Sequence, residues 1–381
     1  MTRTIHRPAL AYALLTFLSC FLELGLLLDA VAQGRPLWKL GSVLLAFHGA
    51  NLLTCLLMTP RVARTLTLVL GMATLTVAPW SMLGTATGVF LAKLGIQWLR
   101  NDLKAQAQPG GRCKALPRLA GFIVAFLYSP IAFATLGVVT LGAYLLVSHG
   151  MTVYSRRQIA ETTVVVGGQQ TAANGSAEAH PKLTVEPSAV ANVANSAGRG
   201  HEASGVRLRM YLTMATHSAH YFAFGYGIPA LFAGRYGFPV AFLGLVYTAG
   251  WLGYYLIDRL LPPSPRYLAW GHLASALAIL TLAFSPTHWP ALLAWTITGF
   301  GGGTVFMLPR LRVSNPYDPA AMDLWDNGAN IFGLLVFLLA QGWGMPEVGF
   351  LGAAFLSLLS AWAAAGLQGA MALRTGELLA D

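Results

Sequence analysis

Apolar runs of roughly twenty residues recur along the whole chain, cut by charges, Pro and Gly. A helix that crosses about 30 Å of hydrocarbon needs roughly 20 residues. On that measure the pattern predicts spans at 9–31, 38–59, 62–79, 82–100, 118–136, 138–155, 208–233, 239–261, 267–285, 289–308, 325–343 and 347–371. The expectation is an all-α integral membrane protein with twelve transmembrane helices. No charge interrupts 118–155, so Ser129-Pro130 could instead kink a single long helix. The first run has no small-residue cleavage site after a short core and continues to Val31, so it is read as a retained span rather than a removed signal.

Charge decides between eleven spans and twelve. With twelve, and both termini cytoplasmic, twenty Lys and Arg residues fall on the inner side and only Arg35, Lys39 and Arg235 outside. Eleven would invert the second half and place Arg259, Arg266, Arg310 and Arg312 outside, against the positive-inside rule. The expected location is a bacterial cytoplasmic (inner) membrane. Composition agrees: 56% of residues are hydrophobic and 10% charged, where a soluble domain carries about a quarter charged. The net charge of +10 is accounted for by the inner-side excess, so no nucleic-acid partner is expected. Cys20, Cys55 and Cys113 fit no zinc or redox spacing, and neither a cofactor nor a metal site is expected.

Between the sixth and seventh spans lies a stretch rich in Gly, Ala, Ser and Asn and free of aromatic residues. It divides the chain into an N-terminal half (1–157), a disordered cytoplasmic linker (158–206) and a C-terminal half (207–381). The halves look like duplicates. "GRPLWKLG" at 34–41 meets "GRYGFPVAFLG" at 234–244, "TPR" at 59–61 meets "SPR" at 264–266, and "TATG" at 85–88 meets "TITG" at 296–299. Each last word marks the fourth helix of a six-helix unit, where Thr and Gly permit close helix contact.

Two six-helix halves joined by a long inner linker resemble the major facilitator superfamily of secondary transporters, over nearly the whole chain. The resemblance implies two pseudo-symmetric halves around a midplane site. The family's loop signature, Gly-x-x-x-Asp-Arg and further basic residues, is degraded in "MTPRVART", which lacks the Gly and the Asp. Its counterpart "GYYLIDRLLPPSPR" supplies Gly253, Asp258, Arg259 and Arg266, with one residue too many unless the register starts at Tyr254. Asp258, Arg259 and Arg266, with Asp326 at the cytoplasmic mouth, are the candidate gating residues.

Ionisable groups inside a membrane are costly, so they tend to face a cavity or a partner. Glu23 stands roughly 24 Å above Arg7 along its helix at about 1.5 Å per residue. His48, on the antiparallel second span, falls near the midplane with Asn51 and Cys55 on its face. Glu23 and His48 could meet through one water; the other reading gives each a local backbone or hydroxyl partner. In the seventh span His217 and His220 are three apart, with Tyr221 and Phe224 on the same broad face. The resemblance implies that this helix faces the first, so that His220 looks toward Glu23. His-x-x-His could also bind a transition metal if His48 and Glu23 added ligands.

Lys93, Gln97 and Arg100 form one polar stripe on the fourth span, and Lys93 either snorkels to the edge or faces the cavity. In "DLWDNGANIFG" Asp323 reads as the N-cap, while Asp326 and Asn330 point to the vestibule. Tyr247, Trp251, Tyr254 and Tyr255, with Trp98, offer aromatic walls or an interfacial belt. The expected function is therefore a proton-coupled secondary transporter, with export favoured, of a small polar or zwitterionic organic molecule. Glu23, His48 and His220 would couple protons, and His217, Tyr221, Asn51, Lys93, Gln97, Trp251, Tyr254 and Asn330 would bind solute. The alternatives are an organic-anion uptake transporter or a non-transporting assembly or pigment-delivery factor. No nucleophile-and-base set or phosphate loop points to an enzyme. The partners expected are the solute, protons and the bilayer, and the chain is expected to be monomeric.

Overall fold

The computed structural model describes residues 7–57, 60–78, 81–107, 111–149, 196–311 and 318–378; the side chains at 105–107, 111–113, 196–204, 258 and 368–378 lie outside that description. Among these residues every regular element is helical. Helix α1 spans Arg7–Ala32, and a 3-10 turn at Leu37–Leu40 leads into α2, Gly41–Leu56. Then come α3 (Arg61–Val77), α4 (Met82–Ala107), α5 (Gly111–Ile123, with a 3-10 turn Val124–Leu127) and α6 (Pro130–His149). The second half opens with α7 (Ser196–Phe224) and α8 (Gly227–Gly234), which together make one broken span. It continues with α9 (Val240–Leu260), α10 (Pro265–Phe284) and α11 (His288–Gly303, extended as a 3-10 turn to Arg310). It ends with α12 (Pro319–Gly342) and α13 (Pro346–Leu378).

Counting α7 and α8 as one gives twelve long helical segments among the described residues, and seven candidate spans there are, by length and hydropathy alone, able to cross a bilayer. The protein is an integral, multi-pass membrane protein.

Local chemistry corrects several expected boundaries. The fifth and sixth helices divide at Tyr128-Ser129, earlier than the expected 136–138. Ser129 Oγ accepts the Ala132 N–H at 3.1 Å, and Pro130 occupies the first helical position, where its missing N–H costs nothing. Ser-Pro is thus a helix start and not a kink. Helix α12 begins at Pro319, capped by Asp318 through the Ala320 N–H at 2.9 Å, so Asp323 sits inside the helix and is not the cap. Helix α7 starts at Ser196, within the stretch expected as linker; 158–195 lie outside the described residues.

The duplication is visible in packing. Helix α1 packs on α5 as α7 packs on α12, α2 on α4 as α9 on α11, and α3 on α4 as α10 on α11. The first turn of each half has a glycine in the left-handed region, Gly34 (φ 62°) and Gly237 (φ 68°), which a side chain would disfavour. Each is followed by x-Pro, and Pro36 and Pro239 cap the next helix. The structural match is therefore Gly34 with Gly237, three residues on from Gly234. The words TATG and TITG differ in use. Gly88 opens α4 toward Leu75 of α3, whereas Gly299 lies against the backbone of Gly250 on α9, leaving no room for a Cβ.

Three apolar cores explain where the molecule opens. One, including Leu15, Phe21, Leu68 and Ile96, belongs wholly to the first half. Another, including Met210, Leu268, Leu308 and Met322, belongs wholly to the second and lies toward its basic end. The third joins the halves at the opposite end, where Leu27, Leu37 and Leu40 share a cluster with Ile228, Phe232 and Phe337. The halves are sealed together at the end of the Gly34 and Gly237 turns and part toward the end carrying Arg61, Arg64 and Arg100.

Candidate functional site

The space between the separated halves is a cavity of about 280 Å³, lined by α1, α2, α4 and α5 on one side and α7, α9 and α12 on the other. Its lining contains Glu23, His48, Asn51, Lys93, Gln97, His217, Tyr221, Trp251, Tyr254, Asp326 and Asn330. The other expected residues lie elsewhere. Arg259 and Arg266 are exposed at the helix ends, and the Asp258 side chain is outside the described residues. In the first half the missing loop acid is supplied from α4: Asp102 pairs with Arg64 and, at 3.8 Å, with Arg61.

At the sealed end of the cavity a hydrogen-bonded chain crosses between the halves. The Tyr226 hydroxyl donates to Glu23 Oε1 at 2.9 Å and lies 2.5 Å from His48 Nε2. With the tyrosine proton on Glu23, His48 donates from Nε2, which leaves Nδ1 buried and without a hydrogen-bond partner among the described residues. Glu23 and His48 are thus joined by a tyrosine from the other half and not by a water. Tyr226 reaches them because the span breaks between α7 and α8. Pro229 has no N–H and would clash with the Gly225 carbonyl in a continuous helix, and the interruption turns residue 226 inward.

His220 corrects the expectation that it looks toward Glu23. It packs with His217 and His272, ring centroids 5.0 and 5.9 Å away. His272, on α10, explains why. Its Nδ1 lies 2.8 Å from the Leu268 carbonyl, which can only accept, so Nδ1 carries the proton. With one proton per ring, His272 Nε2 accepts from His217 Nδ1 at 3.0 Å, and His217 Nε2 accepts from the Tyr254 hydroxyl at 3.4 Å. This second chain lies wholly within the C-terminal half. Beside it a cavity of about 20 Å³, lined in part by His220 and Thr298, has room for about one water. Among the described residues no group of His, Cys, Asp and Glu has metal-binding geometry.

Lys93 does not snorkel. It is buried, its Nζ 2.5 Å from Ser19 Oγ and 3.8 Å from the centre of the Phe47 ring. Asp326 accepts from Ser218, and Tyr221 shares a 2.5 Å hydroxyl contact with Tyr247. Trp98 is not a cavity wall; it packs with Ala50 and Leu94 and donates to the Leu57 carbonyl at 3.3 Å.

No protein-family profile matches the chain, and neither does any curated protein sequence. Solved structures do. A POT family transporter in complex with 5-aminolevulinic acid is 12% identical, with 95% of this chain and 96% of that chain covered at a TM-score of 0.60. The nucleoside transporter NupG is 14% identical, covering 94% and 98% at 0.59. The human organic anion transporter MFSD10 (TETRAN) is 14% identical, covering 95% and 99% at 0.55. This chain has the major facilitator fold.

Three residues of the site escape the sequence reading. Tyr226 stands between two glycines just before Pro229, which signals a break in the seventh span. His272 is an ionisable residue inside an apolar run, the criterion that singled out His48. Arg118 counts as one more inner-side charge in the sequence, yet α5 begins at Gly111, so Arg118 sits about two turns in and faces the cavity.

Proposed function

We propose that the chain is a proton-coupled secondary transporter that moves a small polar or zwitterionic organic molecule by rocking its halves about the central cavity. The observation that carries this reading is the cross-half chain of Glu23, Tyr226 and His48 at the sealed end of a polar cavity. To open at that end, the halves must break both the apolar cluster and this chain. Glu23 takes and releases the coupling proton. A proton arriving at His48 Nδ1 lets Nε2 pass its own proton to the Tyr226 oxygen while the Tyr226 hydroxyl passes its proton to Glu23, which leaves Glu23 neutral and His48 protonated at Nδ1 alone. That path exists only while the sealed end is closed, which ties proton position to conformation.

The cavity carries both signs of charge, Lys93 and Arg118 against Asp323 and Asp326, which suits a solute with both. The amino acid bound by a similarly folded POT transporter belongs to the same chemical class, and the similarly folded proteins include peptide-binding, nucleoside and organic anion transporters.

The test is purified protein in liposomes under an imposed pH gradient, scored for solute-dependent proton movement with candidate zwitterions such as 5-aminolevulinic acid. Solute-dependent movement in either vesicle orientation supports the reading and gives the direction. Solute binding without proton movement in either orientation would leave a binding or assembly role.

A further inference from the structure

The cavity wall formed by α5 and α9 holds a cation that the proton chain does not use. Arg118 stacks against Trp251, its guanidinium carbon 4.9 Å from the ring centre, and lies 5.9 Å from that of Tyr255. Its Nε is buried without a hydrogen-bond partner, and among the described residues no carboxylate comes within 4.0 Å of it. Glu23 is already bonded to Tyr226, and Asp326 to Ser218. A buried guanidinium donor left unsatisfied is costly, and a cation held on aromatic faces in the cavity wall is arranged to receive an anion.

Lys93 is less available, because Ser19 and the Phe47 face occupy it. Around Arg118 the wall is aromatic: Phe122 and Tyr221 pack on Trp251 at 5.6 and 5.2 Å. A planar apolar body fits beside such rings, while a bare inorganic ion would leave them facing water.

We propose that Arg118 is the anchor for the carboxylate of an organic solute whose aromatic or apolar body lies against Trp251 and Phe122. This rests on the reading of the cavity as the solute site and adds the identity of the group that the first half grips. Guanidinium and carboxylate match as planar partners, and Arg118 can offer two parallel N–H donors. Lysine at this position would keep the charge but lose that geometry.

The experiment uses the full chain, purified in nanodiscs, with thermal stabilisation and calorimetric titration as readouts. The probe is benzoate, compared with benzamide, benzylamine and inorganic phosphate at matched ionic strength. Expected is stabilisation by benzoate alone. Arg118→Gln should weaken it by roughly tenfold or more, the loss of a charged hydrogen bond, with Arg118→Lys between the two. Should Arg118→Gln fold poorly, Trp251→Leu supplies the second reading, removing the platform and weakening benzoate while leaving the charge.

The proposal is overturned if benzamide or phosphate stabilises as well as benzoate, if benzoate does not bind, or if well-folded Arg118→Gln binds it unchanged. The transport reading fails separately. Binding at Arg118 with no proton movement in liposomes would sink coupling and leave the anchor standing.

Discussion

Two hydrogen-bonded chains of similar make-up line this cavity, and they differ in which halves they join. Glu23, Tyr226 and His48 link residues 203 and 178 positions apart, across the seam between the halves. Tyr254, His217 and His272 link residues 37 and 55 apart, all in the C-terminal half. Each combines imidazole with a tyrosine hydroxyl. Rocking of the halves must break the first chain and can leave the second intact. The first contains a carboxylate, the group to which the proposed function gives the coupling proton. The second ends on the Leu268 carbonyl, a fixed acceptor that sets both histidine tautomers and holds α7 against α10. On the proposed function, one chain is a coupling element and the other a brace.

Substitutions can pull the two apart. The largest effect is expected from Glu23→Gln, which keeps size and hydrogen bonding but removes the titrating group. Gradient-driven accumulation in proteoliposomes should fall to the no-gradient level while counterflow exchange persists; full accumulation at equal protein levels would move the coupling site elsewhere. His48→Gln removes the imidazole at the far end of the same chain. It should lower accumulation by about tenfold or more, in keeping with the loss of a proton-transfer partner, again with exchange retained.

The brace should answer differently. His272→Leu leaves the His217 Nδ1–H buried without an acceptor, a cost of about 1–3 kcal/mol. Thermal unfolding in detergent should register it, while accumulation per folded molecule stays within about twofold. A coupling loss as deep as that of Glu23→Gln would make the two chains one functional unit. Smallest of all is Tyr254→Phe, which removes only a 3.4 Å contact, at the long edge of hydrogen bonding. Its stability cost should be under about 1 kcal/mol by the same unfolding measurement.

The contrast also marks what the sequence could reveal. Span number follows from hydropathy and charge because a bilayer penalises polar length directly, and the repeat words locate corresponding helices. Boundaries at Ser129-Pro130 and Asp318-Pro319 depend on caps that a hydropathy window does not weigh. Glu23 and His48 are legible as costly groups at similar depth, but the hydroxyl between them is not. Tyr226 reaches them only through the break at Pro229 and a contact between halves. His217 and His220 share a face by spacing, yet spacing does not say which neighbour that face meets. It meets His272 on α10. Arg118 reads as an anchoring charge until the start of α5 is known.

The central claim is that the Tyr226 hydroxyl completes the proton path between the halves, and one substitution isolates it. Tyr226→Phe keeps the ring and its packing on Phe222 and Phe337 and removes one oxygen. Measured side by side in proteoliposomes, solute counterflow should remain within about threefold of wild type while accumulation driven by a pH gradient falls by about tenfold or more. Undiminished accumulation by a well-folded Tyr226→Phe protein would contradict the account.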